Sequence, residues 1–254
     1  MRTWIFLILR RILRSFLHNR FINPHSEVET MKNLITILGI LILLLFIPLS
    51  FINSTTGFIP ELFVFIALIL FFRWTYSIWR LNVPIFTLLI VGLISHSAGI
   101  LGWYHTSPVP IQWDHVTHVF GLLPFALLFF RFFEQWMDAK LLTRKNLLLV
   151  IVVFLAASGV GALIELSEFL GYLKLGFGEG AFRFGPGDGF DSKAASDVIA
   201  DLGGGWINTG WDLIYNTSGI VIGIILMLIT KLFVGTPKKA YYYETPGQWS
   251  KKVE

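Results

Sequence analysis

Six apolar segments, each of about 20 residues, follow one another along the chain. A helix of that length crosses the roughly 30 Å hydrocarbon core of a bilayer. Hydrophobic residues make up 55% of the sequence and charged residues only 14%, whereas a soluble domain carries about 25% charged residues. The sequence therefore predicts an all-α fold, a polytopic membrane helix bundle of about six transmembrane helices. We place the spans at residues 34–52, 61–79, 84–103, 115–133, 147–168 and 212–233.

The same composition excludes several other classes of protein. A disordered chain lacks this much apolar surface, and a disulfide-stapled secreted domain needs cysteine, of which this chain has none. Basic residues flank the spans instead of lining a folded face, so we expect no nucleic-acid partner. The G-x-S-x-G, H-E-x-x-H and Walker A signatures of soluble enzymes do not occur in the sequence.

The basic residues also predict the orientation of the bundle. With the N-terminus inside and six spans, 17 of the 20 Lys and Arg residues fall on the cytoplasmic side. Only Lys174, Arg183 and Lys193 fall on the outer side. Because loops rich in Lys and Arg stay in the cytoplasm, we predict that both termini are cytoplasmic (N-in/C-in). We expect the protein in the plasma membrane, with the lipid bilayer as its partner.

The two ends of the chain differ from the spans. The arginines of residues 4–17 lie within one arc of an otherwise apolar helix, a pattern typical of a segment that rests on the inner leaflet. Met31 stands directly before the first span, and we interpret the residues before it as dispensable. The chain thus divides into a basic amphipathic membrane-surface segment (1–30), a six-helix transmembrane domain (31–234) and a cytoplasmic polar tail (235–254).

One long outer loop, residues 169–211, is rich in glycine and acidic residues. We predict irregular chain over 176–189 and a short helix over 191–202. Loops of this length are often functional. We expect the loop to cover a polar pocket, with Asp197 or Asp201 as secondary contributors.

Polar side chains stand near the predicted outer ends of three spans, where an ionisable group is expensive. Asp114 and His118 lie four residues apart on one helical face, and His115 lies three residues before His118. A carboxylate and an imidazole on one face suit a divalent metal or a proton relay. The alternative is a polar cap at a helix start, where negative charge is favoured.

Two further polar pairs occupy the same predicted level. Glu165 and Glu168 lie three residues apart and would repel each other unless they share a proton or a cation. Asp212 and Asn216 lie four residues apart, and the alternative for them is a cap and an interhelical hydrogen bond. His96, which stands among small residues, reads as a packing group.

Three helices therefore contribute to one level, which predicts an outward-facing polar pocket. Small residues of the fifth and sixth spans are expected to let those two helices approach closely. These small residues are Gly159, Gly161, Ala162, Gly219 and Gly223.

Three sequence blocks resemble the VanZ-like and the related YjdF-type (DUF2238) membrane proteins. The blocks are WDHVTHVFGLLPFALL, LIELSEFL and GWDLIYNTSGIVIG, and together they cover about residues 110–230. They match the Asp/His start of one helix, the acidic end of the next and the closing Asp…Asn…Gly…Gly helix of the family. The matching positions are Asp114, His118, Glu165, Glu168, Asp212, Asn216, Gly219 and Gly223.

The chain also departs from that family pattern. The loop over residues 171–205 is longer and richer in glycine, and Trp211 stands where an arginine often precedes the closing aspartate. The resemblance implies a polytopic membrane protein and names no substrate, although one branch of the family is linked to glycopeptide antibiotic resistance.

We weigh three functions. The first is a membrane enzyme that performs metal-assisted chemistry on a lipid-linked or envelope substrate. The second is a non-enzymatic assembly or structural protein whose polar cluster locks the helices, and the third is a proton-coupled carrier. Ligands without cysteine suit Zn, Mn or Mg. In the enzyme hypothesis the metal ligands are Asp114, His118, Glu165 and Asp212, the general base is Glu168 or His115, and Asn216, Asp197 and Asp201 complete the pocket.

Overall fold

A computed structural model describes the backbone of residues 24–104, 106–175 and 198–234, with side chains at 27–104, 106–168 and 209–233. These residues form α-helices joined by turns and short 3-10 helices, and the described part contains no strand. The helices are α1 (Pro24–Ile52), α2 (Ile59–Trp74), α3 (Val83–Ser97), α4 (Trp113–Phe133), α5 (Arg144–Leu175) and α6 (Val198–Val234).

Each helix provides a stretch that is long and apolar enough to cross a membrane. The predicted all-α bundle of six spans is confirmed, and its N-in/C-in orientation stays a prediction. The second span ends at Trp74 rather than at residue 79. Near this end Arg73 binds Glu29 and Asn33 of α1, and after Trp74 the chain turns toward the start of α3 at Val83. The membrane-spanning stretches are Glu27–Ile52, Thr56–Trp74, Val83–Leu101, Trp113–Trp136, Arg144–Glu168 and Thr209–Phe233.

Helix α4 is central to the bundle, where it packs against α3, α5 and α6. Helix α1 packs against α2 and α3 on the other side. Because the spans alternate in direction, α1, α3 and α5 finish at the same end of the bundle at which α2, α4 and α6 start. We call this end the site end. At this end the backbone carbonyl of Ile100 accepts hydrogen bonds from the side chains of Asn53 and Thr55, each over 3.0 Å. These bonds link the segment after α1 to the segment after α3.

The ion pairs of Lys and Arg that the structure describes lie at the opposite end of the bundle. Arg131 pairs with Glu134, Lys145 lies 3.4 Å from Asp138, and Lys32 pairs with Glu29. We call this the basic end. Its contacts give the Lys and Arg side chains partners at the bundle's edge, where long basic side chains are least costly.

The two glycines Gly219 and Gly223 of α6 face α4. A Cβ atom on Gly219 would lie 2.4 Å from the backbone oxygen of Val119, and one on Gly223 would lie 2.8 Å from that of Leu123. Gly161 of α5 does face α6, since its Cβ would lie 3.2 Å from Nδ2 of Asn216. We expected the small residues to let α5 and α6 approach closely, but the closest glycine contacts join α4 and α6. The sequence does not show which helix packs against a given glycine, because that depends on the arrangement of the helices in the bundle.

The predicted loop over residues 169–211 is helical at both edges. Helix α5 continues to Leu175, and α6 begins at Val198 despite three consecutive glycines at 203–205. Helical continuation satisfies backbone groups near the bilayer surface, where an irregular chain would leave them without partners. The predictions for residues 1–23, 176–197 and 235–254 lie outside the described residues.

Candidate metal centre

The imidazole of His118 occupies the centre of a buried polar cluster at the site end. His118 lies in the second turn of α4, and its Nε2 is 3.4 Å from Oδ1 of Asp114 on the same helix. The same nitrogen is 3.3 Å from Oδ1 of Asp212 on α6. The i,i+4 spacing of Asp114 and His118 thus places both side chains on the face of α4 that meets α6.

The other ring nitrogen of His118 faces acceptors on two helices. Its Nδ1 is 3.1 Å from Oδ1 of Asn216 and 3.2 Å from Oε1 of Glu165. The amide orientation of Asn216 is fixed, because its Nδ2 donates to Oε1 of Glu165 at 2.8 Å. Both ring nitrogens of His118 therefore face acceptors, because carboxylate oxygens lie beside Nε2 as well. In the neutral tautomer that carries its proton on Nδ1, Nε2 keeps the lone pair that could bind a metal.

Four side chains could hold one ion between them. One ligand atom each from His118, Glu165, Glu168 and Asp212 lies within 4.8 Å of the others. Two atoms that bind the same ion at about 2.0–2.2 Å are roughly 2.8–4.4 Å apart, depending on the bond angle. Small side-chain rotations would therefore close the group around an ion. One imidazole with carboxylate oxygens and no thiolate suits Zn, Mn or Mg.

A second histidine adjoins this group. Nδ1 of His96, at the end of α3, lies 2.6 Å from Oε1 of Glu61 at the start of α2. Nε2 of the same ring lies 3.8 Å from Oε1 of Glu168. Sequence reasoning missed Glu61 and took His96 for a packing group. The sequence did contain a signal for them. Glu61 and His96 are ionisable residues near the predicted outer ends of the second and third spans, at the same level as the other polar residues.

Tyr104 closes the site end beside His96. Its hydroxyl donates to the backbone oxygen of His96 at 3.1 Å, and its ring stacks on Phe58. Removal from water raises the pKa of the Tyr104 phenol well above its usual value, and the carboxylates of Asp114 and Glu61 raise it further. Tyr104 therefore remains a neutral hydrogen-bond donor.

Of the predicted site residues His115, Asp197 and Asp201, only His115 has a described side chain, and it lies apart from the four-ligand group. His115 is on the neighbouring face of α4, where its ring stacks on Tyr215 with the centroids 4.0 Å apart. Asp201 lies in α6, but its side chain is outside the described residues, as is the whole of Asp197. The roles assigned to these three residues stay predictions.

Acidic side chains outnumber basic side chains in this cluster. The cluster contains five buried carboxyl groups but only two imidazoles, those of His96 and His118. The pairs that Lys32, Arg73, Arg131 and Lys145 form lie at the basic end. Buried charges require partners, bound protons or a bound cation. The five acids are Glu61, Asp114, Glu165, Glu168 and Asp212, and the exposed fraction of each residue is between 1% and 8%.

Comparison with known proteins gives a family and no individual relative. No curated protein and no solved structure matches the chain. The family described as "Predicted membrane protein (DUF2238)" matches residues 33–233. This range begins in the third turn of α1, and it includes the five later spans and the whole His/Glu/Asp group. The chain belongs to the DUF2238 family of membrane proteins.

Proposed function

We propose that the protein binds a divalent cation at the site end and uses it for chemistry on a lipid-linked or envelope substrate in the plasma membrane. The observation that carries this proposal is the group formed by His118, Glu165, Glu168 and Asp212, whose ligand atoms lie within 4.8 Å of one another. The basic end, with its Lys and Arg side chains, faces the cytoplasm in this proposal, so that the site end faces outward.

Each side chain has a distinct part in the proposed site. Nε2 of His118 and the carboxylates of Asp212 and Glu165 would hold the ion, and Asp114 would add a further oxygen. In this proposal Nδ1 of His118 carries the ring proton, and the side-chain oxygen of Asn216, 3.1 Å away, would accept it and so orient the imidazole. Such a cation lowers the pKa of a bound water and polarises an ester or phosphoryl oxygen. Glu168 is placed to accept a proton, because it belongs to the group yet is also near His96.

A structural lock is the second candidate function, favoured by the burial of the cluster. The polar side chains of three helices are more than nine-tenths buried and bind one another directly. In this alternative, protons shared among the carboxyl groups replace the metal, and the cluster holds α4, α5 and α6 in register.

Metal analysis of the purified protein distinguishes the two functions. The full chain is purified in detergent without chelator, loaded with Zn²⁺ or Mn²⁺, freed of excess ion and measured for metal content. We expect bound metal in the wild type and a large loss in His118→Ala and Asp212→Asn. Glu134→Gln is the control, because Glu134 lies at the basic end beside Arg131.

The chemistry is tested with the loaded protein in vesicles made from a total lipid extract of the producing cell. Lipid products are compared by mass spectrometry with and without EDTA. A product that requires both the metal and Asp212 supports the enzyme. Wild-type protein that binds no metal, but loses stability in His118→Ala, would establish the structural lock instead.

A further inference from the structure

We infer that the site end binds two divalent cations rather than one, the second held by His96 and Glu168, with Glu168 shared between the two ions. This inference rests on the proposed function, which it deepens by adding a second ion and a second histidine ligand, and it makes Glu168 a shared ligand in place of a proton acceptor. It assigns a role to Glu61, His96 and Glu168, the side chains of α2, α3 and α5 that meet beside the first group.

The two histidines present their ring nitrogens in the same way. His118 directs Nδ1 to Asn216 and Glu165, and directs Nε2 to the carboxylates of Asp114 and Asp212. His96 likewise directs Nδ1 to Glu61 and Nε2 to Glu168. A histidine that binds a metal through one nitrogen commonly donates the other N–H to a carboxylate or carbonyl group. Both rings therefore have the orientation of metal ligands.

The distance from His96 to Glu168 suits an intervening ion better than a direct bond. Nε2 of His96 and Oε1 of Glu168 are 3.8 Å apart, which is too long for a hydrogen bond. It falls inside the roughly 2.8–4.4 Å separation of two atoms that bind the same ion. Glu168 also belongs to the group around His118. One carboxylate thus lies within reach of both histidines, as in two-metal sites whose ions are about 3.5–4 Å apart.

Glu61 supplies an independent observation. Its side chain is more than nine-tenths buried, and Oε1 accepts from His96. Oε2 is buried as well and has no hydrogen-bond partner among the described residues. A buried carboxylate oxygen normally has a partner, so Glu61 is complete only when a further donor or a cation is present beside His96.

The charge of the cluster favours two ions. When both imidazoles are neutral and all five carboxyl groups are ionised, one divalent cation leaves three of the five buried carboxylates uncompensated. Two divalent cations leave only one. Since uncompensated charge is costly at this depth, the second ion removes most of the repulsion that a single ion leaves in place.

Counting bound ions tests the inference. The full-length protein in detergent is loaded with Mn²⁺, freed of excess ion and analysed for metal per chain and by electron paramagnetic resonance. We expect two Mn²⁺ per chain with the signal of a coupled pair. His96→Ala is expected to bind one Mn²⁺ and to give the six-line signal of an isolated ion.

Two glutamate variants separate ligand loss from misfolding. Glu168→Gln is expected to lose the coupled signal, whereas Glu134→Gln should keep it. These two glutamates are closely matched, since their side chains are 10% and 11% exposed. Glu61→Gln leaves both histidines in place and should weaken only the second ion, by about 10–100-fold, because Glu61 positions His96. This variant serves if His96→Ala fails to fold.

The outcomes distinguish this inference from the function on which it rests. A wild type with a single Mn²⁺ that His118→Ala removes and His96→Ala does not would overturn the second ion and leave the proposed function standing. Two ions that persist in both His96→Ala and Glu61→Gln would also overturn it. A wild type that binds no Mn²⁺ and no Zn²⁺ would remove both proposals.

Discussion

The side-chain amide of Asn216 donates to Oε1 of Glu165 over 2.8 Å, although the two residues are 51 positions apart. The oxygen of the same amide lies 3.1 Å from Nδ1 of His118. Asn216 therefore joins α4, α5 and α6 with one side chain, as a donor to Glu165 and as an acceptor beside His118. Its carboxamide can do both because it offers a donor and an acceptor on opposite sides.

Replacing Asn216 by leucine tests this junction. Asn216→Leu removes a donor from Glu165 and an acceptor from His118, both of which remain buried. Leaving buried polar groups without a partner costs about 1–3 kcal/mol, so we expect a stability loss of that order in a denaturant titration in detergent. Thr217→Val is the control, because Thr217 is exposed and bonds only to the backbone of its own helix. Equal stability of the two variants would contradict the junction.

Two glycines provide a matched test of the α4–α6 contact. In Gly219→Ala the new Cβ would lie 2.4 Å from the backbone oxygen of Val119, so the helices must separate. We expect a loss of about 1–3 kcal/mol, as for other overpacked sites. Gly159→Ala meets nothing within 4 Å and should be neutral, or more stable by up to about 1 kcal/mol through helix propensity. Thermal unfolding in detergent measures both, and a stable Gly219→Ala would refute the close approach.

The sequence predicts the six spans because a run of apolar residues is a local property. It also predicts that Asp114 shares a helical face with His118, and that Asp212 shares one with Asn216, since four residues make about one helical turn. The structure brings these pairs together at one end of the bundle. Helix spacing and span direction alone were enough for that part of the site.

The other part of the site depends on which helices are neighbours, and no local pattern contains that information. Glu61 follows Pro60 at a helix start, where an acidic residue is ordinary. His96 is isolated among small residues. Their contact joins positions 35 residues apart and exists only because α2 and α3 lie side by side at the site end. The contact of Gly219 with α4 could not be predicted for the same reason.

The orientation of the bundle is a prediction that reporter fusions can measure. A reporter after Glu254 is expected to be cytoplasmic, and one inserted within 178–190 is expected to be outside, because 17 of the 20 basic residues then lie inside. A pair of reporters with opposite signals, one active only in the cytoplasm and one active only outside, gives an internal control. Both fusions on the same side would refute the six-span topology, and exchanged sides would put the candidate metal centre at the inner face.

The start of α1 divides the N-terminal region into two parts with different expected effects on removal. Residues 24–30 belong to α1, in which Val28 is buried and Glu29 lies 2.8 Å from Nη2 of Arg73. A chain shortened to begin at residue 24 keeps these contacts, so we expect unchanged insertion and thermal stability.

A chain that begins at Met31 should still insert, because the apolar run from residue 34 remains. It loses the burial of Val28, worth about 1.5–3 kcal/mol at most, and it loses Glu29, one of the two side chains that Arg73 binds. We expect a lower unfolding temperature in detergent, while Asn33 still accepts from Arg73. Glu29→Gln in the full chain serves as the control for the lost pair and should reproduce only a small part of the decrease, since Glu29 is half-exposed and such pairs contribute little. Failure of the Met31 chain to insert would show instead that residues before the first apolar run direct its insertion.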